Sequence, residues 1–381
     1  MIRLRGMTWR HDRGLAPMLA TAHQFSLEHP GVSIEWEARS LREFGEAPVE
    51  HLAKRYDLVV LDHPWMAALS QSGSFLPLEE HLLADFLADF SRDSAGPSHA
   101  SYIFDGHQWA LAIDAAAQVA GCRADLLDRE GVPMPKSWED VFAVAAVRRG
   151  FVSLPLFPLD AFLAFCSICA NAGDAPSTES SGVVPRSTGA YALDVLRRLR
   201  GVASEKALSE NPIAVWERMS ATDETAYCPL AFGYSNYARP AYRRHLLSFG
   251  LIPSAGGGPV GATLGGAGLA ISVHCAHREV ALAYATMVGS RDCQCTLYVE
   301  SGGQPGRRSA WAGDHANAIT NGYLRATLPV IETAWLRPRH AGFAEYQNIG
   351  AAIIARFLTG EASDRETLDE LDRSWQGHGR T

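Results

Sequence analysis

Between Asp57 and Asp62 the chain sets four apolar residues in succession, Leu58, Val59, Val60 and Leu61, with no polar residue among them. A strand of this kind has both faces buried, as parallel strands covered by helices do. The segments before it fit the same frame. Residues 2–9 read as a short strand, and "GVSIEWEARS" alternates Val32, Ile34 and Trp36 on one face. Between these two, Leu15, Met18, Leu19, Ala22 and Phe25 follow helical spacing until His29 and Pro30 stop the helix. Strand, helix, strand, helix, strand is an α/β layout. In such sheets ligands sit beyond the carboxyl ends of the strands. Those ends carry Trp9, Arg10, His11, Asp12 and Arg13, then Arg39, then Asp62, His63 and Trp65.

Further along, "GHQWALAID" (106–114) is strand-like and "AAAQVAGCR" continues it into the helix "ADLLDREG", which reads as a crossing between domains. Ser137 and Asp140 stand at capping-box spacing ahead of another helix. "LDAFLAFCSICANAG" and "TGAYALDVLRRLR" read as helices separated by a polar loop, so the middle third is mostly helical. "TAYCPLAFGYSNYARP" returns to strand composition and ends in Tyr234, Asn236 and Tyr237. "LIPSAGGGPVGATLGGAGLAIS" reads as a glycine-rich strand pair crossing back. Helices near 316–334, 343–359 and 363–375 finish the chain, the last with Ser363 and Glu366 as a capping box.

Composition excludes several classes. A net charge of −8 without a basic run argues against nucleic acid as a partner. No window reaches the roughly 18 to 20 apolar residues of a membrane span, so no membrane insertion is expected. The seven cysteines are odd in number and irregularly spaced, which fits reduced thiols better than a disulfide framework. Cys166 and Cys169 lie in an apolar helix where cysteine behaves as a small hydrophobe. His274, Cys275, His277, Cys293 and Cys295 match no standard zinc spacing. No phosphate loop or nucleophile elbow is present, so no cofactor, metal or catalytic residue is assigned.

The order of the pieces resembles the extracellular solute-binding proteins of ABC importers, in the carbohydrate-binding group that includes maltose-binding protein. "YDLVVLDHPWMAALSQSGSFLPLEEHL" resembles the family's buried strand, helix and Leu-Pro-Leu corner. Tyr102, Asp105, Gly106, Pro135 and Trp138 stand at landmarks of its first crossing. "LGGAGLAISVHCAHREVALAYATMVGS" with "GGQPGRRSA" resembles the returning crossing and its Gly-x-Pro-x-Arg turn. The resemblance implies a periplasmic-binding-protein-like type II α/β fold, two lobes joined by a multi-crossing hinge around a ligand cleft. Lobe one would be 1–112 plus 264–308, and lobe two 113–263 plus 309–381. The implied partners are a small-molecule ligand and the membrane component of an ABC importer, with the protein a monomer. The family is normally exported, yet Met1 leads directly into the first strand. The expected compartment is therefore the cytoplasm, with the periplasm as the alternative for a trimmed mature form.

On this frame the candidate ligand-binding residues are Trp9, Arg10, His11, Arg39, Asp62, His63, Trp65, Asp114, Tyr234, Asn236, Tyr237, Gly265 and Arg307. The Trp9 to Arg13 turn either lines the cleft or is a solvated turn with weak ion pairs. His63 either lines the cleft or caps the next helix. Asp114 either accepts ligand hydroxyls or ties the two lobes. The aromatic rings with polar tips suit sugar faces and hydroxyls. Arg10, Arg39 and Arg307 together would suit a carboxylate through forked hydrogen bonds. The expected function is a binding protein closing on a sugar, sugar acid or carboxylate. The alternative is a cytoplasmic enzyme on the same scaffold, with His11, His63 and Asp62 as acid or base candidates.

Overall fold

The computed structural model describes residues 1–40, 49–178, 182–254 and 261–379. It divides into two compact units, Met1–Ala116 with Gly265–Arg325, and Ala117–Leu264 with Ala326–Thr381. Apart from the two-residue hairpin Ile103–Phe104 and His107–Gln108, the strands are β1 (Ile2–Trp9), β2 (Val32–Arg39), β3 (Leu58–Leu61), β4 (Leu111–Cys122), β5 (Tyr227–Phe232), β6 (Ser248–Gly250) and β7 (Leu264–Ile271). Among the described residues, no helix is long and apolar enough to cross a membrane.

In the first unit β1 pairs in parallel with β2 on one side and β3 on the other. β7 runs antiparallel to β3, with Leu58 opposite Ile271 and Leu61 opposite Gly268. The unbroken apolar run of β3 is explained by its two faces. Leu58 and Val60 join Leu4, Phe25, Leu269 and Ile271 in one core. Val59 and Leu61 join Met7, Leu52, Tyr102 and Ala270 in another. Each such side chain contributes about 1.5 to 3 kcal/mol by leaving water. Helix α1 (Asp12–Glu28) covers the first of these cores with Met18, Ala22 and Phe25, while Leu19, expected on the same face, is exposed and Leu15 is half-buried.

The unit boundaries differ from the expected lobes. Residues 113–116 and 309–325 belong to the first unit, and Leu264 to the second. The physical reason for 309–325 is local. Trp311 is fully buried, and its indole N–H donates to the Pro305 carbonyl at 2.7 Å. Asn317 then donates to the Trp311 carbonyl at 2.8 Å and accepts the Arg325 N–H at 2.8 Å. Residues 316–334, expected as one helix, form Asp314–Ile319 and Tyr323–Glu332 instead. Asn321 (φ 49°) and Gly322 (φ 76°) adopt left-handed backbone between them, which a continuing helix does not permit.

In the second unit β4 pairs antiparallel with β5 and β6 through residues 118–122. Helix α2 (Pro158–Asn171) is buried along almost its whole length. It packs against the helix Ala341–Thr359 so closely that a Cβ on Gly350 would lie 2.5 Å from the Phe162 ring. Phe162, Tyr346 and Trp375 continue the contact as edge-to-face rings. Both expected capping boxes are present, at Ser137 with Asp140 and at Ser363 with Glu366. Of the expected glycine-rich strand pair, β7 is present, while 255–260 lie outside the described residues.

Candidate functional site

Because β2, β1 and β3 are parallel, their carboxyl ends share one edge of the first unit. That edge gathers Arg10, His11, Arg39, Asp62 and Trp65, as the sequence pattern implied. The Arg10 N–H donates to the Arg39 carbonyl at 2.6 Å, joining the two turns. The Arg10 side chain is exposed and donates to the Ala38 carbonyl at 3.2 Å. His11 caps α1, its Nδ1 accepting the Arg13 N–H at 3.0 Å. Asp62 caps the next turn in the same way, Oδ1 accepting the His63 N–H at 2.8 Å. Arg39 leans back on Tyr56, 5.6 Å above the ring, with Glu37 at 4.0 Å. The Tyr56 hydroxyl and the neighbouring arginines hold the Glu37 carboxyl below the usual carboxylate range.

Four candidates are buried in the first unit. Trp9 is buried under α1, so close that a Cβ on Gly14 would lie 2.4 Å from its ring. His63 is fully buried and edge-on to Tyr102, with ring centroids 6.3 Å apart. Asp114 is buried with Arg13, whose Nε donates to Oδ2 at 2.9 Å and whose Nη2 reaches Oδ1. Both residues belong to the first unit, so this carboxylate is matched within it. Burial pushes its pKa up, with Arg13 opposing. Arg307 is also buried: it donates to the Gly289 carbonyl at 2.8 Å and to Asp89 at 2.6 Å, 4.5 Å from the centroid of Phe90. The expected three-arginine pocket therefore loses Arg307, because a buried guanidinium requires the carboxylates Asp89 and Asp93 beside it. Arg308, next in sequence, is exposed. Gly265 is buried at the start of the first unit's return segment.

In the second unit, Tyr234, Asn236 and Tyr237 flank and form the turn Ser235–Ala238 beyond β5, rather than lying on the strand itself. The Tyr234 and Tyr237 rings meet edge to face at 6.5 Å. Tyr237 is fully buried and its hydroxyl donates to Glu217 at 2.9 Å, a carboxylate that Arg243 also grips. Burial and that carboxylate push the phenol's pKa upward. Its ring therefore supports the turn from within. Tyr234 keeps 5% and Asn236 2% of their surface.

The sequence reading missed Asp160. It stands in the first turn of the apolar helix α2, and burial alone pushes its carboxyl up to about 7. A carboxyl that keeps its proton near neutrality both donates and accepts hydrogen bonds. The signal was present as one acid inside "FPLDAFLAFCSIC".

Glu79, Glu80 and His107 form the one grouping with metal-ligand spacing among the described residues. His107 Nδ1 lies 2.5 Å from Glu79, whose other oxygen accepts the Gln108 N–H, so the group is internally matched. A recess of about 460 Å³ in the second unit is lined by Arg148, Arg149, Lys206, Arg218 and Glu224 among others. Its buried cation Arg218 is paired with Glu210 at 2.7 Å.

No family model matches the chain, and no curated protein sequence matches it. Solved structures do. Maltose-bound T. maritima MalE3 has a TM-score of 0.84 at 18% identity, covering 99% of this chain and 100% of that one. The GacH receptor of Streptomyces glaucescens, solved unliganded and with acarbose, gives 0.81 at 17%, covering 98% and 97%. An ABC transporter solute-binding protein from Agrobacterium radiobacter K84 in complex with ribitol gives 0.79 at 20%, covering 99% and 98%. From end to end, the chain has the two-lobe, periplasmic-binding-protein-like α/β fold of the MalE-like solute-binding proteins.

Proposed function

We propose that this protein is a solute-binding protein that closes on one small, hydroxyl-rich ligand and releases it unchanged. The carrying observation is the full-length fold match to proteins whose structures hold maltose, acarbose and ribitol. The strand-end edge of the first unit supports the reading, since Arg10, Arg39 and Asp62 offer donors and acceptors suited to hydroxyls. In the second unit, Tyr234 and Asn236, at the turn beyond β5, are the groups proposed to meet the ligand. The proposed compartment is the cytoplasm, which suits seven free thiols; the membrane component of an ABC importer is the proposed partner under the alternative, a periplasmic mature form. Cell fractionation of the native organism tests that point.

A thermal-shift screen of the full chain against sugars, polyols and sugar acids tests the binding reading. A ligand at about 100 times its Kd adds roughly 2.7 kcal/mol to stability, a shift well above noise. A flat response across the panel contradicts the reading.

A further inference from the structure

Glu79, Glu80 and His107 come from two elements of the first unit, the turn Leu78–Glu80 and the hairpin that carries His107. Backbone chemistry fixes both. Leu78 is fully buried, and its carbonyl accepts the N–H groups of His81 and Leu82 at 3.1 and 2.8 Å. In the hairpin, Asp105 (φ 52°) and Gly106 (φ 80°) take the left-handed backbone that a two-residue turn requires. The Trp109 indole N–H closes it on the Phe104 carbonyl at 3.0 Å. The two elements meet through one carboxylate. Glu79 Oε2 accepts the Gln108 N–H at 2.8 Å, which leaves Oε1 facing His107 Nδ1 at 2.5 Å.

Glu80 is the member that this pairing leaves over. Its carboxylate makes no hydrogen bond or ion pair among the described residues, yet one donor atom from each of the three side chains lies within 4.8 Å of the others. The hydrogen bond to Glu79, with the charges of Glu79, Glu80 and Asp105, raises the pKa of the His107 imidazole. A proton on His107 answers one of these three carboxylates and leaves the other two unanswered. An ordinary surface pair of histidine and glutamate needs no further acid and contributes little. Imidazole nitrogen with carboxylate oxygens is instead a donor set of zinc and its first-row neighbours, whereas magnesium and calcium take oxygen ligands. A tetrahedral zinc ion holds such atoms about 2.1 Å from itself, hence about 3.3 Å from one another. The Glu79–His107 contact opens and Glu80 closes in by on the order of 1 Å to reach that spacing. Two exposed glutamates and a half-buried histidine make that change by side-chain torsion.

We propose that Glu79, Glu80 and His107 bind one divalent transition-metal ion of the zinc type, which takes the place of the proton between His107 and Glu79, releases it to solvent, and ties the turn to the hairpin. Water completes the coordination. The inference stands on the first unit alone and is independent of which solute the protein binds.

The test uses the full chain without solute, freed of metal by a chelator and titrated calorimetrically with Zn2+ alone and with Mg2+ alone. One Zn2+ per chain is expected, and no Mg2+ at the same concentrations. His107→Ala and Glu80→Gln each weaken zinc binding at least about 10-fold, since even residues that only orient metal ligands are worth that much. His81→Ala, at an exposed neighbour outside the group, leaves it unchanged. Glu80→Gln replaces an exposed carboxylate and carries the test even if His107→Ala fails to fold. Unchanged zinc affinity in a folded His107→Ala or in Glu80→Gln overturns the proposal. So does an equal loss in His81→Ala, which is capture by scattered surface groups, and so does the absence of zinc binding or magnesium bound as tightly as zinc.

Discussion

Arg13 and Asp114 form an ion pair sealed from water within the first unit, with side chains 5% and 0% exposed. The pair joins the start of α1, two residues past His11, to β4 two residues before the crossing. A buried pair of this kind contributes little over apolar residues of the same volume, but removing one partner strands the other charge. Asp114→Asn is therefore expected to cost about 3 to 5 kcal/mol in urea unfolding. The double replacement Arg13→Met with Asp114→Leu recovers most of that. Loss in the single variant below about 1 kcal/mol would contradict the pairing.

Two buried groups give stability opposite dependences on pH. The Asp160 carboxyl, ordinarily 3.8, is pushed up to about 7 by burial. The folded chain thus holds a proton that the unfolded chain releases, and stability falls as pH rises from 3.8 to about 7. Asp160→Asn is expected to raise stability at pH 8 by up to roughly 4 kcal/mol relative to its effect near pH 4. Urea midpoints at the two pH values check this.

His99 runs the other way. Burial, aided by Arg307, holds its imidazole down to about 4 from the ordinary 6.5. The unfolded chain takes up a proton the folded chain refuses, so stability is full above 6.5 and is lost as pH falls toward 4. His99→Gln is expected to remove on the order of 3 kcal/mol from that acid-side loss. An unaltered slope between pH 6.5 and 4 in the variant would contradict the assignment.

Six of the seven cysteines are buried and Cys295 is partly exposed. Burial pushes the Cys122 and Cys275 thiols up to about 11 and those of Cys228 and Cys293 to about 12. Thiol titration at pH 8 is expected to find one fast-reacting group in the native protein and all seven after unfolding without reductant. Fewer than seven would reveal a disulfide.

Much of this arrangement was legible in the sequence, because burial and turn chemistry act locally. The unbroken apolar run of β3 announced its two covered faces, and Ser363 with Glu366 announced their cap. The shared edge holding Arg10, Arg39 and Asp62 followed from strand order alone. What stayed hidden were long-range pairings. Asp114 meets Arg13 from 101 positions away, and Arg307 meets Asp89 from 218 away. No spacing rule connects such residues, so both read as open charges.

Arg10 is the cation of the strand-end edge whose own side chain is exposed and bonded to a backbone carbonyl. With a sugar or sugar acid that stabilises the wild type, Arg10→Ala is expected to weaken binding by about 10- to 100-fold. The melting point of the ligand-free protein stays unchanged. Equal affinity in the variant would make this a solvated turn and move recognition elsewhere.

The proposed function is binding without chemistry. Isothermal titration of the full chain with the sugars, polyols and sugar acids of the panel, followed by mass analysis of the recovered ligand, tests it most directly. One site per chain is expected, with a Kd of roughly micromolar or tighter for one ligand class, recovered at its original mass. A ligand recovered with altered mass, or no heat from any member of the panel, would contradict it.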